Sequence, residues 1–190
     1  MIPRYVLMNT MSNGGIGGGV SSAVSRAIGA GRPSDADALL FHAVLIALTF
    51  GALFASNWFM FEQAITAALG GAGEAEADAL TYAGWVFGGA PLIWTVNLIG
   101  SSMRGAGEVK LPAIVNLIGA AVLIPLSPAL IFGFGPIPNL GVGGAGAATL
   151  VFYAGALVVY SWHLSAGRGP LRLRPGVPSG RHLADITASG

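Results

Sequence analysis

The charged residues of this chain fall in short clusters, and the intervals between the clusters are long enough to cross a lipid bilayer. Arg4 to Arg26 encloses roughly 20 uncharged residues, Asp37 to Glu62 about 24 and Asp78 to Arg104 about 25, against the ~20 that a spanning helix requires. Lys110 to Arg168 encloses nearly 60, too many for one span and enough for two. The divider there is FGFGPIPNLG, Phe132 to Gly141, whose Gly and Pro residues mark a tight turn. The spacing predicts an all-α integral membrane protein of about five transmembrane helices, near 5–28, 38–69, 77–103, 111–132 and 142–166, followed by a polar tail over 167–190.

Composition agrees. Hydrophobic residues make up 54% of the chain and charged residues 9%, with a mean hydropathy of +0.71. A water-soluble domain carries roughly 25% charged residues to hydrate its surface, so lipid must be the solvent for much of this one. The 30 glycines suit a membrane bundle, where small residues let helices approach closely. Cysteine is absent, which excludes disulfides and thiolate metal sites, and a net charge of +1 argues against a nucleic-acid partner. No residue grouping calls for a metal or an organic cofactor. The first span is not a signal peptide: it lacks a compact apolar stretch and an A-x-A site, and Gly14 to Gly19 interrupts it.

The loops predict an orientation. Alternation places Arg26 and Arg32, Arg104 and Lys110, then Arg168, Arg172, Arg174 and Arg181 on one side. The other side holds Arg4 and the acidic Glu74, Glu76 and Asp78. Lys and Arg mark the cytoplasmic face, so the expected topology is multi-pass in the cell (inner) membrane, C-terminus inside and N-terminus outside. A chain that begins outside needs a helix to deliver it there, so a further helix is expected upstream.

Several motifs have both a bland and a functional reading. The Gly-rich run Asn13 to Arg32 has neither the preceding strand nor the Lys-Ser/Thr pair of a phosphate loop. It reads instead as a helix with two small-residue stripes, Gly15, Gly19 and Ala23 beside Gly14, Gly18 and Ser22, able to pack on two neighbours. Pro91, Pro125 and Pro128 fall inside apparent helices. Each removes a backbone donor and frees a carbonyl, as a static kink or as the broken helix of a transport path. Asn97, Asn116, Ser127 and Thr149 are the polar residues deep in the spans, as packing contacts or as pathway lining. Glu62 is the carboxylate within a span, read as a proton-coupling group or as an interfacial side chain that reaches water. His42 and His163 fall near the cytoplasmic ends of their helices. An intramembrane enzyme would need a Ser-His, paired-Asp or His-metal constellation inside the bundle; these peripheral histidines and isolated carboxylates do not form one.

Three stretches resemble one family. RGAGEVKLP, Arg104 to Pro112, with Arg104, Gly105, Gly107 and Glu108 as its signature positions, looks like the loop between the fourth and fifth helices of MATE (multidrug and toxic compound extrusion) exporters. PALIFGFGPIPNLGVGGAGAATL, Pro128 to Leu150, is similar to that family's fifth-to-sixth helix turn, and SRAIGAGR, Ser25 to Arg32, resembles the loop after its second helix. The three lie in family order at family-like distances. The resemblance makes the five spans helices 2–6 of an amino-terminal six-helix lobe. It implies an antiporter, driven by sodium or protons, that exports drugs or metabolites between two rocking lobes, its partners being the bilayer and a small organic substrate. It further implies that a first helix and a carboxy-terminal lobe lie outside this chain, which as a fragment would be inactive alone. Many members carry an Asn and an Asp where this chain has Leu123 and Ser127, while the family's sixth-helix Thr is kept as Thr149. A lipid-linked precursor flippase of the same superfamily is the alternative. Such flippases usually line the cavity with Arg or Lys, and the span interiors here contain none, Arg26 standing at the end of the first.

Overall fold

The computed structural model describes residues 15–68, 73–133 and 139–172. These form helices α1 (Gly15–Gly29), α2 (Pro33–Ala68), α3 (Glu74–Gly88), α4 (Ala90–Gly105), α5 (Lys110–Phe132) and α6 (Gly143–Ser165), and no strand occurs among the described residues. The protein is all-helical. Two of the helix stops are built alike. After α1, Gly31 at φ 69° sends its N–H to the Ile28 carbonyl and passes Arg32 N–H back to Ala27 O, both at 3.0 Å. After α4, Gly107 at φ 85° sends its N–H to Arg104 O at 3.0 Å, and Glu108 N–H reaches Met103 O at 2.9 Å. Both are Schellman caps, in which a glycine takes the left-handed conformation that a side chain resists. Pro33 then opens α2 at the first helical position, where its missing N–H costs nothing.

Each of the about five spans expected from the sequence has helix in it among the described residues, though not always as one unbroken helix. Among the described residues three helices are by themselves long and apolar enough to cross a membrane: α2 over Pro33–Glu62, α5 and α6. A fourth exists if α3 and α4 are counted together, because they pass only as a pair bent by 51°. The continuous helix expected over 77–103 is therefore two helices broken at Gly89. Pro91 has no N–H with which to extend α3 and sits in the first turn of α4, where none is needed. The first expected span is described only as the 15 residues of α1, about 22 Å of helix and short of the ~30 Å hydrocarbon core. Its expected beginning, and the tail beyond Arg172, lie outside the described residues.

The chain divides into two compact units. The first takes in α1, α2 up to Ala47, Thr95–Ile114 and, among the described residues, 158–172. Val20, Val24, Ala36, Leu40, Ala43, Met103, Leu164 and Leu171 are buried at its centre. Close helix contact is made by small residues: a Cβ on Gly105 would collide with the Ser21 backbone, and one on Gly17 would stand 3.1 Å from Ser101 Oγ. Of the two stripes on α1, Gly19 and Ala23 are buried, whereas Gly18 is exposed with nothing within 4 Å. His42, in the first part of α2, is 1% exposed, its Nδ1–H donating to Ala38 O at 2.7 Å. The hydrogen bond to its own helix satisfies the ring where no water reaches.

The second unit comprises Leu48–Trp94 and Val115–Leu157. Its large buried side chain is Trp58, stacked on Phe87 at 4.5 Å. Elsewhere glycines bring backbones together: Gly51 against Pro91, Gly144 against Leu130 and Gly119 against the Phe152 ring. Phe59, Met60, Leu117, Ile124 and Phe132 are each at least 60% exposed. In water such a surface would aggregate; in lipid it is the solvated face.

Candidate functional site

In the second unit α5 and α6 run antiparallel, and the contacts Gly144–Leu130 and Gly119–Phe152 fix their register. That register sets Ser127 and Thr149 within about one turn of each other along the helix pair. Pro125 and Pro128 lie inside α5, so the carbonyls of Ala121 and Ile124, four residues earlier, lose their helical donors. The hydroxyl of Thr149 donates to Ala145 O at 2.9 Å, which leaves its oxygen lone pairs to accept. The result is a stretch of helix pair supplied with neutral oxygen: two hydroxyls and two released carbonyls.

The other sequence candidates lie on these elements. Asn116 lies on the same helix as Ser127 but roughly 16 Å along it and is exposed. Asn97 belongs to α4 within the first unit, and Glu62 to the later part of α2. Pro91 marks the 51° bend. Beside the bend, an apolar cleft of about 450 Å³ is lined by Thr81, Gly84, Trp85, Gly88, Gly89 and Leu150.

The signature loop is built differently. Arg104 donates to Ser101 Oγ at 2.9 Å, one turn back on α4. Gly105 supplies the close approach to α1, and Gly107 the Schellman stop, which delivers Glu108 onto the end of α6. There Glu108 Oε1 stands 2.7 Å from His163 Nε2, both side chains largely covered. The ring nitrogen is not aligned to donate, so the contact is a close approach and not a hydrogen bond. Gly169 lies over both groups, with no room for a Cβ. Arg172 N–H donates to Asp37 Oδ1 at 2.7 Å, which ties the segment after α6 to the start of α2.

Sequence reasoning misses these pairings. Glu108 is visible as a motif position and His163 as a residue in the last turn of α6, but nothing local connects residues so far apart. Because both side chains keep some contact with water, Glu108→Gln is expected to lower stability by about 1 kcal/mol or less. Thermal unfolding in detergent measures it; a loss several times larger would mean a fully desolvated pair.

A broken, proline-containing helical bundle with so apolar a surface is built as a multi-pass membrane protein. Residues 8–129 match the MatE family, and the chain belongs to that family. The FAD transporter of Shewanella oneidensis is 32% identical over 144 residues, which are 75% of this chain and 32% of that protein. A multidrug resistance MATE family transporter in its inward-facing conformation has 28% identity and a TM-score of 0.85, covering 93% of this chain and 40% of that one. The outward-facing conformation of a transporter so described gives 28% and 0.83, covering 96% and 41%. The chain thus spans about a third of the curated relative and two fifths of the solved chains.

Proposed function

We propose that this chain forms part of one lobe of an exporter that expels small organic compounds across the cell (inner) membrane by alternating access, with its Lys- and Arg-rich loops and C-terminus in the cytoplasm. The carrying observation is that the chain matches an inward-facing and an outward-facing relative almost equally, with TM-scores of 0.85 and 0.83. A segment that fits both states is one that transport displaces without refolding, as rocking of a lobe requires. Coupling uses an ion that binds one state better than the other. Sodium suits the oxygens around Ser127 and Thr149, since neither hydroxyl titrates near neutral pH. Proton coupling would fall to Glu62 or to residues beyond this chain.

Alternating access needs two lobes around a site, so the 190 residues alone are expected to give no dye efflux from proteoliposomes. A chimera in which this chain replaces the matched 144 residues of the Shewanella relative is expected to restore it. In that chimera, Ser127→Ala with Thr149→Val is expected to remove sodium stimulation. Efflux by the short chain would overturn the two-lobe reading, and unchanged sodium stimulation the ion assignment.

A further inference from the structure

We propose that the cleft between the α4–α5 loop and the segment following α6 binds the phosphate of an anionic phospholipid headgroup. The proposal rests on the chain spanning a membrane and not on its transporting anything. The cleft, about 340 Å³, is lined by Gly107, Glu108, Val109, Lys110, Arg168 and Gly169, among others. Lys110 and Arg168 are both exposed, and among the described residues neither meets a carboxylate within ion-pair distance. The carboxylate in the lining, Glu108, is held 2.7 Å from His163 Nε2 and is covered by Gly169. Two cations therefore face the cleft while its acidic member is directed at an imidazole. The first turn of α5 opens at the same place, since Lys110 is its first residue, and its unbonded amides add partial positive charge.

Position selects a lipid over a soluble anion. Lys110 begins one 23-residue apolar helix, and Arg168 follows closely on the end of another. Each helix is ~35 Å long and fills the hydrocarbon core, so the cleft falls where spans meet water. Trp162, 55% exposed near the end of α6, carries the Arg168 guanidinium 4.4 Å from its ring centroid. An exposed indole at a helix end sits at headgroup level, and its π-face holds the cation there. Val109, also 55% exposed, gives the rim an apolar edge. Clusters of this kind at a membrane surface recognise anionic headgroups.

The test uses the full chain in neutral detergent, with retained lipid counted by native mass spectrometry after titration with phosphatidylglycerol, phosphatidylcholine or inorganic phosphate. Phosphatidylglycerol is expected to be retained over phosphatidylcholine. Lys110→Gln with Arg168→Gln is expected to weaken that retention roughly 25-fold, each cation contributing about a factor of five. The charge-keeping pair Lys110→Arg and Arg168→Lys is expected to preserve it. Equal retention by the glutamine variant and the original chain would overturn the proposal. Displacement of phosphatidylglycerol by inorganic phosphate would overturn the lipid assignment in favour of a soluble anion. Should the glutamine variant not fold, the unaltered chain still decides: its preference must fall at high salt, and a preference indifferent to salt would overturn the proposal.

Discussion

Gly51→Ala is expected to destabilise this protein by about 3 kcal/mol, a large penalty for one methyl group. The added Cβ would collide with Pro91 Cα and stand 2.7 Å from Pro91 N and 3.0 Å from the Ala90 carbonyl carbon. All three are backbone atoms in the first turn of α4, so no rotamer change moves them aside. Relief requires α2 to withdraw from the bend. Gly18→Ala is the control: it meets nothing within 4 Å, and an exposed helical Gly→Ala gains up to ~1 kcal/mol from propensity. Denaturant titration in mixed micelles compares the two. A second comparison separates backbone from side-chain crowding. Gly119→Ala meets the Phe152 ring, so Phe152→Leu should relieve it, whereas Pro91→Ala should not relieve Gly51→Ala. Equal stability of the Gly51 and Gly18 variants would mean that α2 does not lie against the bend.

The signature loop offers the second large effect, because its two glycines exist for different reasons. Gly105→Asn is expected to cost about 3 kcal/mol or to prevent folding, since a Cβ there would be 2.8 Å from Ser21 Cα and 2.9 Å from Ser21 C. Gly107→Asn is expected to cost only about 1 kcal/mol. Its surroundings are open within 4 Å, and Asn is among the residues that best tolerate positive φ. The same titration ranks them. Reversal of the order would mean that the Schellman geometry, and not contact with α1, sets the requirement for glycine in this motif.

Much of the architecture is legible because lipid imposes a strict pattern: the uncharged intervals before Glu62 and after Lys110 are spans in the structure. Legibility ends where a local exception meets a long-range contact. The bend at Gly89 depends on two adjacent glycines and Pro91 acting together, while hydropathy runs straight through them. The burial of His42 is not legible, because a hydropathy profile cannot tell which side of a helix meets its neighbours. At the site, Pro125, Ser127, Pro128 and Thr149 announce themselves as polar or helix-breaking. That Ser127 and Thr149 share a level follows from the register set by Gly144 and Gly119, which no single helix contains. Glu108 and His163 meet for a similar reason, brought together by the cap at Gly107.

Leu171 is 1% exposed, and its neighbour Arg172 bonds through its N–H to Asp37, 135 positions earlier. A ribosome adds roughly 5–20 residues each second, so Asp37 leaves the tunnel on the order of ten seconds before its partner is made. During that interval Asp37 lacks this partner, and the first unit is completed last by a segment that follows its final helix. A chain trimmed back to Ser165 lacks both the buried Leu171 and the bond to Asp37, whereas one ending just past Arg172 keeps them.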